Sequence, residues 1–72
     1  MTITQLKYVL AVAEYKNFTL AADKCFVTQP TLSMQIQKIE EELNIQIFDR
    51  TKKPIQLTDI GLKIVTQAKN IV

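Results

Sequence analysis

The stretch from Thr28 to Leu43, TQPTLSMQIQKIEEEL, decides how the rest of the chain is read. Within it Leu32, Ile36, Ile39 and Leu43 step by four, three and four, the spacing that lines apolar side chains along one face of an α-helix. Thr28 stands where an N-cap hydroxyl accepts from the first unpaired amides, and Pro30 lies in the first turn, where a missing N–H costs nothing. Asn44 tolerates the left-handed geometry that ends helices. Opposite the apolar face lie Gln29, Ser33 and Gln37, all able to hydrogen-bond and none charged.

Upstream, the segment Leu20 to Phe26 has room for two helical turns, with Thr19 as its N-cap candidate and Ala21 and Ala22 small enough to let another helix approach. Two short helices joined by a tight turn read as a helix-turn-helix. Further upstream Thr2 and Gln5 have the capping-box spacing. Ile3, Leu6, Val9, Leu10 and Ala13 then give a first helix its core stripe, with Asn17 as its stop. The expected helices cover about residues 2–16, 19–26 and 28–43.

Downstream, Ile45 to Phe48 and Ile55 to Leu57 alternate partially, as short strands do, around the charged segment Asp49-Arg50-Thr51-Lys52-Lys53-Pro54. This predicts a hairpin over about residues 46–57, with Pro54 at the start or edge of its second strand because proline cannot donate to a ladder. Thr58 then caps a helix whose Leu57, Ile60, Ile64, Ala68 and Ile71 form one apolar stripe, widened by Val65 and Val72. That pattern has no stop signal, so the helix is expected to continue past residue 72. The fold class is mainly α: a winged helix-turn-helix with a three-helix core, a two-stranded β wing and the start of a long linker helix. Residues 1–57 form the binding domain, and 58–72 begin the linker.

Composition narrows the function. Seventy-two residues make one domain, and 47% hydrophobic content with a single Gly excludes a disordered chain or linker. Apolar runs fall well short of the roughly 20 residues that a membrane span needs, and a cytoplasmic setting is expected. One cysteine cannot form an internal disulfide, and the lack of His removes the usual partner of a Cys-based zinc site. Cys25 is therefore expected as a small buried hydrophobe. Ser33 has no His base, and neither an acid pair nor a phosphate loop is visible, so no enzyme and no cofactor is expected. The net charge of +2 matters less than its distribution: Arg50, Lys52 and Lys53 cluster at the hairpin tip, whereas Glu40, Glu41 and Glu42 are consecutive.

A helix enters the major groove of DNA when its outer face is polar and flanked by groups that hold phosphates. Gln29 can pair with adenine in bidentate fashion, Thr31 and Ser33 can bond phosphates or base edges, and Gln37 extends the same face. Arg50, Lys52 and Lys53 would sit beside this helix. The competing possibilities are a merely solvated face, and a winged-helix module that binds protein through the stripe of its last helix.

These residues also resemble a family. Ala11-Val12-Ala13-Glu14, Phe18-Thr19 with Ala21-Ala22, Thr28-Gln29-Pro30-Thr31-Leu32-Ser33, Gln35-Ile36, Ile39-Glu40, Phe48 with Arg50, and Leu57-Thr58 before Gly61 are similar, in order, to the N-terminal domain of LysR-type transcriptional regulators. The run from Ala21 to Ser33 is most similar to the peroxide-responsive OxyR branch, which controls oxidative-stress genes; a branch answering to a small metabolite is the alternative. The resemblance places groove-reading residues at Gln29, Pro30, Thr31, Ser33, Met34 and Gln37, after the cap Thr28, with phosphate support from Thr19, Lys38 and Arg50. It implies double-stranded operator DNA with two-fold-related half-sites as the partner. It also implies a homodimer through Ile60, Ile64, Val65, Ala68, Ile71 and Val72, a tetramer of the full-length protein, and a larger effector domain. Where many relatives carry a base at the positions of Met34 or Gln37, this chain does not, which shifts the holding of DNA toward the wing.

Overall fold

A computed structural model describes residues 1–71; Val72 lies outside the described residues. Four helices and one two-stranded antiparallel sheet follow in the order α1 (Ile3–Tyr15), α2 (Phe18–Lys24), α3 (Gln29–Leu43), β1 (Phe48–Asp49), β2 (Gln56–Leu57) and α4 (Asp59–Ile71). This is the winged helix-turn-helix that the sequence predicts.

Local chemistry explains the helix ends. The Gln5 amide donates to Thr2 Oγ1 at 3.1 Å and the Thr2 amide to Gln5 Oε1 at 3.0 Å, a closed capping box that starts α1. The stop of α1 is Lys16, left-handed at φ 54°, rather than the expected Asn17. Asn17 instead caps α2, its Oδ1 accepting from the Leu20 amide at 2.9 Å, so Thr19 lies inside α2 and caps nothing. α2 also ends sooner than expected, because Phe26 turns left-handed at φ 59° and leaves its ring 94% exposed. Thr28 caps α3 and Asn44, at φ 55°, closes it.

α1, α2 and α3 pack pairwise, and α4 lies across α1 and β2. The central cluster of the core is Val9, Val12, Ala21, Ala22, Leu32, Ile36, Ile39, Ile47, Phe48 and Val65. Two expected core positions, Ile3 and Leu43, are exposed because each lies at a helix end beyond the reach of the neighbouring helices. Cys25 is only half-buried on the turn after α2, with burial raising its thiol pKa above the usual value. It is not the fully buried residue expected.

α4 corrects the reading of the last stripe. Val65 and Ala68 are 3% and 1% exposed within this single chain, so they are core residues and not part of an open dimer face. Ile64 is half-buried, whereas Ile60 and Leu62 are exposed. The side chain of Ile71 and all of Val72 lie outside what is described.

Candidate nucleic-acid interface

On α3 the residues Gln29, Pro30, Thr31, Met34, Gln37 and Lys38 are exposed and Ser33 is half-buried, so the face drawn from the sequence is open. Its hydroxyls are oriented by their neighbours. Thr28 Oγ1 donates to Thr31 Oγ1 at 2.9 Å while capping the Thr31 amide, and Gln29 Nε2 donates to Ser33 Oγ at 2.7 Å. Thr31 and Ser33 both accept within the helix and keep their own O–H for an outside acceptor. Gln29 keeps its amide oxygen and one N–H. The result is a small uncharged array with donors and an acceptor to spare.

The wing is short, with Phe48 opposite Leu57 and Asp49 opposite Gln56. The expected strands over Ile45 to Phe48 and Ile55 to Leu57 are only partly formed, because Ile47 has another partner. Glu40, 5% exposed on the inner side of α3, accepts at Oε2 from the Ile47 amide at 2.8 Å and the Phe48 amide at 3.4 Å. The same carboxylate takes Arg50 in a two-point grip, Nη2 to Oε1 at 2.9 Å and Nη1 to Oε2 at 3.4 Å. The Arg50 guanidinium also lies 5.3 Å from the centre of the Phe18 ring, which meets Phe48 edge-on at 6.1 Å. Arg50 thus reaches the surface already paired, whereas Lys52 and Lys53 are exposed at the tip.

A second clamp holds the other end of the wing. Thr58 donates its amide to the Ile47 carbonyl at 3.0 Å and its hydroxyl to the Gln46 carbonyl. A Cβ on Gly61 would come within 2.1 Å of that Ile47 carbonyl oxygen, so only Gly lets α4 approach so closely. At the turn, Asp49 accepts from the Thr51 hydroxyl and amide, and these bonds hold its pKa below the usual carboxylate value.

Two adjoining concavities result. One, of about 340 Å³, gathers Ser33, Gln37, Glu40, Gln46 and Arg50 between α3 and the wing. The other, of about 320 Å³, gathers Lys16, Thr19, Lys52 and Lys53 around Phe18 and Pro54. Arg50 lines both. Thr28, Gln29, Pro30, Thr31, Met34 and Lys38 line neither. Sequence reasoning missed Glu40 and Gly61. Glu40 lies four residues after Ile36, on the helix's inner face, and Gly61 is the chain's only Gly, placed inside a helix; each was a signal.

No described helix is long and apolar enough to cross a membrane, and no metal-ligand cluster occurs among the described residues. Residues 3–62 match the bacterial regulatory helix-turn-helix protein, lysR family. A hydrogen peroxide-inducible genes activator of Pectobacterium carotovorum subsp. carotovorum is 45% identical over 71 residues, covering 99% of this chain and 24% of the relative. The BenM DNA-binding domain, solved with catB site 1 DNA, superposes with a TM-score of 0.96 at 42% identity, covering 99% of this chain and 76% of that one. A full-length OxyR variant from Pseudomonas aeruginosa gives 0.92 at 44% identity, covering 99% and 24%. The chain therefore spans about a quarter of the length of the curated relatives it matches.

Proposed function

This chain belongs to the LysR family of bacterial regulatory helix-turn-helix proteins and is a LysR-type DNA-binding domain, and on that premise we propose which of its residues meet the DNA. α3 lies in the major groove, where Gln29, Ser33 and Gln37 address base edges and Pro30, Thr31 and Met34 pack along them. Lys38, Lys52, Lys53 and Thr19 hold phosphates. Arg50 fixes the wing against α3 and offers its remaining N–H groups to the backbone.

The observation that carries this reading is the division of the surface: an uncharged hydrogen-bonding face on α3 meets a lysine-rich concavity at Arg50. Base readout needs the first, and the salt-dependent part of affinity needs the second. A second copy joins through the helix beginning at Thr58, with Ile60, Ile64, Ile71 and Val72 as the candidate contacts. Half-sites are then two-fold related and about one helical turn, or a multiple, apart.

In the longer protein this domain directs a regulator of hydrogen peroxide-inducible genes in the cytoplasm, a reading supported by the run from Ala21 to Ser33 and by the Pectobacterium relative. No catalytic reaction is assigned to it. Selection of bound duplexes from a random pool is the test. The expected product is an inverted repeat whose spacing matches whole helical turns. A domain that enriches no sequence and shifts no duplex at low salt overturns the reading in favour of a protein-binding module.

A further inference from the structure

Lys16 is a costly residue for its position. It closes α1 in the left-handed region, at φ 54° and ψ 33°, with its amide bonded to the Val12 carbonyl at 2.8 Å. An L-residue with a Cβ is strained there, and Gly is not. Its exposed side chain lines the concavity shared with Thr19, Arg50, Lys52 and Lys53. No acidic residue lines that concavity, and among the described residues none of the three lysines has an ion-pair partner. Arg50 is paired on its far side to Glu40. Three lysines without an ion-pair partner and one threonine, from the end of α1, the start of α2 and the wing tip, thus border one depression.

We infer that Lys16 is a phosphate-binding residue, completing with Thr19, Lys52 and Lys53 a seat for a DNA phosphodiester. The inference rests on the DNA-binding reading above and adds to it a contact outside both α3 and the wing. Ammonium and hydroxyl donors match the acceptor oxygens of a phosphodiester, and an anion in the seat relieves the mutual repulsion of the lysines. Because Arg50 also borders the concavity of Ser33 and Gln37, the seat lies beside the reading face. A phosphate bound there ties the wing tip to the α1–α2 corner.

The test is Lys16→Gly, which removes the charge while suiting the left-handed backbone. Loss of binding in this variant cannot come from misfolding if it melts at or above the wild-type temperature, which is the expected result. Expected with it are several-fold weaker binding on every duplex and a slope of log K against log salt shallower by about 1 per bound domain. Lys16→Arg restores both. Unchanged affinity and slope in Lys16→Gly, with the wild type still shifting duplexes, overturn the inference and leave the DNA-binding reading intact. A wild type that shifts no duplex removes that reading and this inference with it. Thermal shifts with inorganic phosphate separate the remaining source: stabilisation of the wild type but not of Lys16→Gly, with equal DNA binding by both, assigns the seat to the free ion and overturns the phosphodiester.

Discussion

α3 and the wing, the two halves of the proposed interface, are built in opposite ways. α3 carries its own instructions: a threonine cap, a proline in the first turn, a left-handed asparagine stop and three fully buried hydrophobes, Leu32, Ile36 and Ile39. The wing has two-residue strands, too few to hold a hairpin by themselves. It is held from outside, by Glu40 of α3, Phe18 of α2, and Thr58 and Gly61 at the entry to α4. The half proposed to read bases is fixed locally, whereas the half proposed to hold phosphates takes its position from the elements around it.

That contrast is open to breakage, most severely at Gly61. In Gly61→Ala the new methyl meets a backbone carbonyl, which cannot rotate away as a side chain can. We expect a loss of about 3 kcal/mol in urea unfolding, the upper range for overpacking and a large share of a small domain's stability. A wild-type midpoint would show that α4 does not need this close approach to hold the wing.

Glu40 separates two functions of one carboxylate. Glu40→Ala strands the Ile47 and Phe48 amides as well as Arg50, and should cost about 2 to 3 kcal/mol. Glu40→Gln keeps an oxygen for the amides but turns an NH2 toward the guanidinium. It should lose roughly half as much stability while loosening the wing, seen as faster amide exchange at Arg50 and Thr51 with the first turns of α3 unchanged. Equal exchange throughout would mean that α3 and the wing move as one body.

In DNA binding the same contrast predicts different footprints. Gln29→Ala should cost roughly 1 to 3 kcal/mol at one base position and little elsewhere, whereas Lys52→Ala should weaken all duplexes alike and flatten the salt slope by about 1. Arg50→Ala is the poorer probe of phosphate contact, since it also leaves Glu40 without its partner. Equal sequence profiles for Gln29→Ala and Lys52→Ala, measured on a library of half-site variants, would dissolve the division.

How much the sequence disclosed follows the same line. α3 was legible because its period, cap and stop lie within seventeen residues. At the α1–α2 corner Asn17 and Thr19 are both able caps, and the cap of α2 lies two residues before the expected Thr19. Asn17 prevails because its side chain reaches the Leu20 amide, which pushes the left-handed turn onto Lys16. Glu40 is the first of three consecutive acids, yet its spacing from Ile36 puts it inside. Val65 and Ala68 lie on an apolar stripe that the family resemblance gives to a partner, but periodicity marks a face as apolar without saying whether the same chain covers it. At the corner the choice lay between two local caps; for Glu40, Val65 and Ala68 the missing information was a tertiary neighbour.

The smallest effect isolates one pair of equivalent bonds. In α3 the Thr31 amide donates to the Thr28 hydroxyl, and in the wing the Thr51 amide donates to the Asp49 carboxylate. A hydroxyl acceptor does not titrate in the accessible range, but the carboxylate does. Because the Thr51 hydroxyl and amide favour the ionised form, the folded pKa of Asp49 lies below that of the unfolded chain. Its contribution is present above the ordinary aspartate value and is lost as pH falls through the depressed one. The Thr51 amide resonance should therefore move on acidification with a midpoint below the ordinary 3.8, while Thr31 stays still, and Asp49→Asn should abolish the Thr51 titration. A Thr51 midpoint at or above the ordinary value would mean that the turn does not hold Asp49 as drawn, and that the wing tip lacks the side-chain bonds it makes for itself.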